Sequence, residues 1–285
     1  MPRISKKWMQ TAWAASGLVA LLLVVLGLIS YGPLSPAFQY QLTLALVLAL
    51  APPAVLDALD RRWRKAIDKA LPRFLEGIAH AQLTGLPLLR AFREAGEGIS
   101  GPLRDEIRLV MAKISWGMSF EEALEMFMKR VDTPLARRVA TLIIEANRSG
   151  GVVERIFTPL AQATATFQAM EEERKATLKP YIFVTYISFF IFLLVMYVLY
   201  TSFFVPMARI PAVGGITPLN PYVCWLLLYH MGIILATFSG LIAGVLGEGR
   251  AYGGLKHVII MLIATFMTFR EMLQPGWLWA LLGLG

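Results

Sequence analysis

Two aspartates at helical spacing are the strongest candidates for reaction chemistry in this 285-residue sequence. Asp57 and Asp60 form a D-x-x-D pair, which places two carboxylates on one helix face, where they could hold Mg²⁺ against a diphosphate. Such a site needs a second acidic pair, and the corresponding ends of the other apolar segments lack one. We therefore interpret the pair as helix-end acids beside Arg61 and Arg64. A lipid-modifying membrane enzyme would have these two aspartates as its candidate site.

The three histidines predict no reacting centre either. His80, His230 and His257 have no second ligand at metal-binding spacing, and no serine beside a base suggests acyl transfer. His230 lies inside an apolar segment, where we expect a neutral imidazole bonded to a carbonyl of a neighbouring helix. The phosphate-binding motif G-x-x-x-x-G-K-[ST] is absent. The sequence thus predicts no catalytic residue, no cofactor and no metal.

A polar segment, residues 57–179, interrupts an otherwise apolar chain. It holds 20 of the 27 Lys and Arg residues and 17 of the 19 Asp and Glu residues, whereas 57% of the whole sequence is hydrophobic. Such a segment predicts a water-soluble domain attached to a membrane protein. The net charge of +8 favours anionic lipid over nucleic acid as a partner, because basic residues flank membrane spans.

Five apolar runs are long enough, or nearly so, to cross a bilayer core of about 30 Å as helices. The first two precede the polar segment and the other three follow it. The dipeptide Pro52-Pro53 is expected to break or restart the helix at the membrane edge. Trp63 lies in the basic cluster Arg61–Lys65 and is expected at headgroup depth. Gly240 and Gly244 have a spacing that permits close helix contact. The predicted spans are Ala12–Tyr31, Phe38–Val55, Tyr181–Val205, Tyr222–Leu246, and a fifth from His257 to about Phe269.

The polar segment has helical periodicity throughout and no convincing strand alternation. Pro87, Pro102 and Pro134 stand where first helical turns would begin, Ser119 and Glu122 form a capping box, and Gly150-Gly151 ends a helix. This punctuation predicts about six helices in one bundle. The predicted buried positions include Leu71, Leu75, Ile78, Phe120, Ala123, Leu124, Phe127, Val139, Leu142, Ile143, Ala146, Ile156, Leu160, Thr164 and Phe167.

The fold class is therefore an all-α integral membrane protein with about five transmembrane helices and an inserted cytoplasmic helical bundle. Its domains are residues 1–56 (N-terminal tail and two spans), 57–179 (bundle) and 180–285 (three spans). The last of these contains an outer loop, 206–221, and a short inner loop, 247–256. Lys and Arg concentrate in the tail, the bundle and the inner loop, which predicts a cytoplasmic N-terminus and an external C-terminus in the cell membrane.

Several stretches, taken in order, resemble the type II secretion F-domain family. The runs Gly117–Leu124 (GMSFEEAL) and Leu142–Gly151 (LIIEANRSGG) are similar to that family as a whole. The resemblance extends over roughly Leu71 to Phe269. Three further stretches look like the archaeal branch that serves archaella and adhesion pili: Glu171–Lys175 with Lys179–Tyr181, Tyr186–Phe190, and Gly240–Arg250 with Gly254–His257.

The resemblance implies a non-enzymatic membrane platform of a type IV filament or type II secretion machine. Its implied partners are a hexameric cytoplasmic secretion ATPase, pilin-like subunits that enter the filament, and a second platform chain. That second chain would be either another copy or a homologous protein, since many archaeal relatives carry two such domains and this chain carries one. A multi-pass transporter or channel with a cytoplasmic regulatory domain is the alternative.

Exposure and charge, rather than any motif, suggest where the ATPase would bind. The inner loop offers Glu248, Arg250 and Lys256. The bundle offers exposed charges on its early helices. These bundle candidates are Arg90, Arg93, Arg104 and Arg108.

Overall fold

The computed structural model describes residues 6–149, 154–208 and 220–274, and every regular element in those ranges is helical. A π-helical segment, Tyr200–Phe204, and a 3₁₀ segment, Ala251–Gly254, supplement the α-helices. The α-helices are α1 (Lys6–Tyr31), α2 (Pro36–Leu83), α3 (Leu88–Glu97), α4 (Pro102–Ser115), α5 (Phe120–Val131), α6 (Pro134–Ser149), α7 (Glu154–Leu199), α8 (Val205–Met207), α9 (Pro221–Glu248) and α10 (Leu255–Leu273).

Five of the described helical stretches are long and apolar enough to cross a membrane, as the sequence predicts. The chain is therefore an all-helical membrane protein. The candidate spans are Trp8–Tyr31, Pro36–Leu83, Phe157–Met207, Pro221–Glu248 and Ala251–Leu273. The second and third are far longer than the roughly 20 residues that a bilayer requires, so only their apolar parts are needed for crossing.

The chain divides into two compact units, whose boundaries fall inside α2 and α7. The bundle unit is Leu59–Arg174, and the apolar unit combines Ser5–Ala58 with Lys175–Gly285. The bundle unit therefore contains the end of α2, the helices α3 to α6 and the beginning of α7.

Large apolar side chains fill the core of the bundle unit. Leu71, Leu75 and Leu124 are almost fully buried, at the positions that helical periodicity predicts. Phe92 meets Phe74 and Phe120 edge-to-face, with ring centroids 5.1 and 5.3 Å apart, and so joins α2, α3 and α5.

Three side chains lie elsewhere than the sequence predicts. Leu142 and Phe167 are exposed, although their spacing predicts burial, because each lies just off the narrow stripe that its helix packs inward. Trp63 is buried in the bundle core, not at a headgroup-depth surface. Helical periodicity predicts which side of a helix is buried but not the exact width of the buried stripe. Such errors therefore fall at the edges of the stripe.

The helix-start signals are confirmed, but one predicted break is wrong. Ser119 and Glu122 form the capping box of α5, and Pro102 and Pro134 are the first residues of their helices. In contrast, α2 continues unbroken through Pro52-Pro53. Pro53 and Ala54 are buried in the apolar unit, and we attribute the continuity to this packing, which offsets the lost backbone hydrogen bonds. Gly150-Gly151 lies outside the described residues.

Glycines bring α9 against the 3₁₀ segment and α10 in the apolar unit. A Cβ added to Gly244 would stand 2.0 Å from the backbone N of Gly254, and one added to Gly240 would stand 2.5 Å from the backbone N of Val258. Side chains larger than hydrogen cannot fit there. The predicted close contact at Gly240 and Gly244 is therefore made within this chain, at the turn between α9 and α10.

Candidate partner-binding surfaces

Four arginines lie on the outside of α3 and α4. The buried side of α3 carries Ala91, Phe92, Ala95 and Gly96, so Arg90 and Arg93 lie off that side and are exposed. On α4 the buried residues are Leu103, Glu106, Ile107 and Val110, which leaves Arg108 exposed. Arg104 is half-buried, and its Nε has no hydrogen-bond partner in the described part of the protein.

Other arginines of the bundle unit make ion pairs that join helices. Arg130 binds Glu106 through two hydrogen bonds of 2.8 and 2.9 Å, which joins α5 to α4. Arg148 binds Glu121 in the same forked way, at 3.1 and 2.8 Å, and joins α6 to α5. Within the described ranges, Arg90, Arg93, Arg104 and Arg108 make no ion pair. Their guanidinium groups can therefore bind carboxylates of another protein.

A groove between α2 and α3 is a further surface that the sequence reasoning missed. It has a volume of about 470 Å³; Arg73, Glu76 and Glu94 supply charges to its lining, and the His80 imidazole also lines it. Gly77 lies between the two helices, where an added Cβ would stand 3.0 Å from the Cβ of Ala95. The i, i+3, i+7 spacing of the α2 residues around this glycine is the signal that could have revealed the groove.

Asp60, one of the two aspartates considered for metal binding, helps to hold the bundle unit together. Asp60 accepts a 2.7 Å hydrogen bond from Nε of Arg64, whose Nη1 also donates to the carbonyls of Val131 and Asp132. This network ties α2 to the turn after α5, where Asp132 takes a left-handed conformation with φ of 53°. No group of three acidic, His or Cys side chains in the described ranges is arranged to hold a metal ion.

Local hydrogen bonds shift the acidity of two carboxyls on α5. The guanidinium of Arg148 lowers the pKa of Glu121. The side chain and backbone N–H of Ser119 lower the pKa of Glu122, because both donate to its carboxylate. Both groups stay charged near neutral pH and hold the beginning of α5.

The three loop candidates do not behave alike. Nζ of Lys256 lies 2.7 Å from Oε1 of Glu248, so these two residues pair with each other across the turn between α9 and α10. Arg250 is exposed and makes no ion pair within the described part of the chain. Of the three loop candidates, Arg250 is thus the one that the described residues leave without an ion pair, while Glu248 and Lys256 stabilise the turn.

Comparisons with known proteins give a family match and an archaeal relative. The family described as "Type II secretion system (T2SS), protein F" matches residues 74–201. An uncharacterized protein of Methanocaldococcus jannaschii is 26% identical over 203 residues, which cover 71% of this chain and 33% of the relative. This chain therefore spans about a third of the relative that it matches. No solved structure matches.

Proposed function

We propose, from the premise that this chain belongs to the type II secretion F-domain family, that it is a non-enzymatic membrane platform for filament assembly or secretion. The observation that carries the proposal is the position of the family match. It includes α3 to α6 of the bundle unit and runs along α7, whose apolar part is a candidate span.

The platform would couple a hexameric cytoplasmic secretion ATPase to the insertion of pilin-like subunits into a growing filament. The similarity to a chain from an archaeon supports a machine of the archaeal type, either a pilus or an archaellum. Because this chain spans about a third of that relative, we also propose that a second platform chain, identical or homologous, completes the assembly.

We propose that the ATPase binds the unpaired arginines of the bundle unit. Arg90 and Arg93 are exposed on one short helix, Arg108 is exposed on the next, and Arg104 lies half-buried beside them. In the apolar unit, Arg250 offers a further guanidinium, whereas Glu248 and Lys256 contribute by holding its turn. Guanidinium groups without partners favour an acidic surface on the ATPase.

Capture of the ATPase tests this proposal. The detergent-solubilised full chain is immobilised, and retention of the hexameric secretion ATPase from the same source is measured. Reversal of two charges, Arg90→Glu with Arg93→Glu, should weaken retention about tenfold or more, because each lost charge pair is worth about 1 kcal/mol or more at an interface. Lys129→Glu is the matched control, since Lys129 is exposed on α5 and pairs only loosely with Glu125, at 4.0 Å. Equal retention by all variants would contradict the proposed contact.

The proposed topology places the N-terminus and the bundle unit in the cytoplasm and the C-terminus outside. Single cysteines at Ser115 and Leu34, both exposed, test it in a Cys224→Ser background. An impermeant thiol reagent added to intact cells should label the Leu34→Cys protein and spare the Ser115→Cys protein until the cells are broken. Labelling of Ser115→Cys from the outside would reverse the orientation.

A further inference from the structure

An apolar groove runs along the apolar unit between α2 and α10. It has a volume of about 480 Å³. Tyr40, Leu44 and Val47 line it from α2, at i, i+4 and i+7, and Ile263, Phe266 and Met267 line it from α10. Its α2 lining runs from Ala37 to Val47, so the groove is about 15 Å long at 1.5 Å per residue.

A buried hydroxyl and a basic side chain lie close to one end of the groove. The rings of Tyr40 and Phe266 meet edge-to-face, with their centroids 5.3 Å apart. The guanidinium carbon of Arg270 lies 5.8 Å from the centre of the Phe266 ring. The Tyr40 hydroxyl is buried and has no hydrogen-bond partner among the described residues. Tyr40 lies in the second turn of α2 and Arg270 in the last turn of α10, so both mark the same end.

This distribution of polarity matches an amphiphile. A hydrocarbon chain suits the walls formed by Leu44, Val47 and Met267, and a phosphate suits the charge of Arg270. A hydroxyl buried beside an apolar channel stabilises a ligand that brings an acceptor oxygen to it. A transmembrane helix of about 20 residues is about 30 Å long and would leave about half of its length outside the groove.

We propose that the groove binds one membrane lipid with an anionic headgroup. One hydrocarbon chain lies between α2 and α10, the phosphate lies against Arg270, and the Tyr40 hydroxyl donates to an oxygen of the glycerol linkage. The site is independent of the bundle unit and of the ATPase contact proposed above.

Native mass spectrometry of the full chain tests the proposal. The delipidated protein is titrated with phosphatidylglycerol and, separately, with phosphatidylcholine of the same chain length. The unchanged protein should retain one phosphatidylglycerol about tenfold more strongly than phosphatidylcholine. Arg270→Gln should remove most of that preference, because a charged contact is worth about 1.5–3 kcal/mol. Lys179→Gln, which removes an exposed charge of the same unit that does not line the groove, should leave it unchanged.

Filling the groove separates chain binding from charge. Leu44→Trp should reduce retention of both lipids at least fivefold. Ile234→Trp is the matched control, because Ile234 is exposed on α9 and does not line the groove. Lipid retention by the two variants is compared once thermal unfolding shows that both are equally stable.

Photocrosslinking keeps the proposal falsifiable if Leu44→Trp does not fold. The unchanged protein is reconstituted in vesicles that contain phosphatidylglycerol with a diazirine on one acyl chain, and crosslinked residues are mapped by peptide sequencing. Crosslinks should concentrate on Leu44, Val47, Ile263 and Met267. The proposal is overturned if crosslinks spread evenly over the exposed apolar residues of α1 and α9, or if Arg270→Gln leaves lipid preference unchanged.

Discussion

The bundle unit and the apolar unit expose opposite kinds of side chain, although both bury large apolar residues between helices. The bundle unit buries Leu71, Phe92 and Leu124 and carries most of its charges outside. The apolar unit leaves Leu194 and Phe238 exposed and buries Thr43 and Thr265. Each unit exposes the side chains that its surroundings solvate. The exposed apolar side chains of the apolar unit therefore suit the hydrocarbon of a membrane.

The two units also differ in what holds their helices together. In the bundle unit, forked ion pairs such as Arg130–Glu106 join neighbouring helices. In the apolar unit, the backbones of Gly244 and Gly254 approach so closely that no side chain fits between them. Lipid surroundings give no hydrophobic gain on helix association, so close backbone packing must supply the attraction.

The largest expected effect is the loss of that close packing. Gly244→Ala should destabilise the protein by about 3 kcal/mol or more, because the added Cβ meets the backbone of Gly253 and Gly254, which cannot move cheaply. Thermal unfolding of the detergent-solubilised protein measures the change. Gly17→Ala in α1 is the control, since nothing lies within 4 Å of the added Cβ, and it should not lower the midpoint. A wild-type midpoint for Gly244→Ala would contradict the glycine contact.

A charge on an exposed leucine should distinguish the two surroundings. Leu194 and Leu83 are similarly exposed, at 63% and 57%, but lie in the apolar and bundle units respectively. Leu194→Asp should cost about 2.5–3.5 kcal/mol of membrane insertion, whereas Leu83→Asp on the water-solvated unit should cost about 1 kcal/mol or less. Membrane-inserted protein is quantified by fractionation. Equal losses at the two positions would remove the contrast between the units.

Breaking a buried ion pair should rank next. Glu106 has 8% of its side chain exposed and pairs with a partly exposed Arg130. Glu106→Gln should destabilise the bundle by about 2 kcal/mol, at the low end for buried pairs because water still reaches the arginine. The matched change, Glu125→Gln, removes an exposed pair with Lys129 and should cost less than about 0.5 kcal/mol. Chemical denaturation of the purified protein measures both.

The smallest expected effect is a pH dependence at the start of α5. The folded pKa of Glu122 lies below its usual value because Ser119 donates to the carboxylate. The stabilisation is therefore complete above the unfolded pKa of about 4.3 and is lost as the pH falls through the lower folded value. The stability difference between the unchanged protein and Glu122→Gln should shrink on acidification. A constant difference would show that this carboxylate is not the titrating group.

Much of the architecture was predictable because it depends on local signals. Five apolar runs, the capping box at Ser119 and the proline starts at Pro102 and Pro134 each act within a few residues along the chain. The broken helix at Pro52-Pro53 was predicted wrongly, since the local cost of two prolines is offset by packing that the sequence does not display.

The candidate surfaces were less predictable than the helices. Charge and exposure indicated Arg90, Arg93 and Arg108 correctly as exposed residues, but could not show that Glu248 and Lys256 are paired with each other. The groove beside Arg73 and His80 needs two helices to exist. A pairing or a groove depends on distances between segments, which spacing along one segment does not fix.

By itself, the sequence determined that this protein is an all-helical membrane protein with a charged helical segment of the type II secretion F kind, because hydropathy, periodicity and motif order are properties of the linear chain. Only the tertiary structure decided which arginines remain unpaired, which glycines touch backbone, and that Tyr40, Phe266 and Arg270 share one end of a groove. Those outcomes depend on packing between helices distant in sequence, where differences of about an ångström decide whether a contact forms.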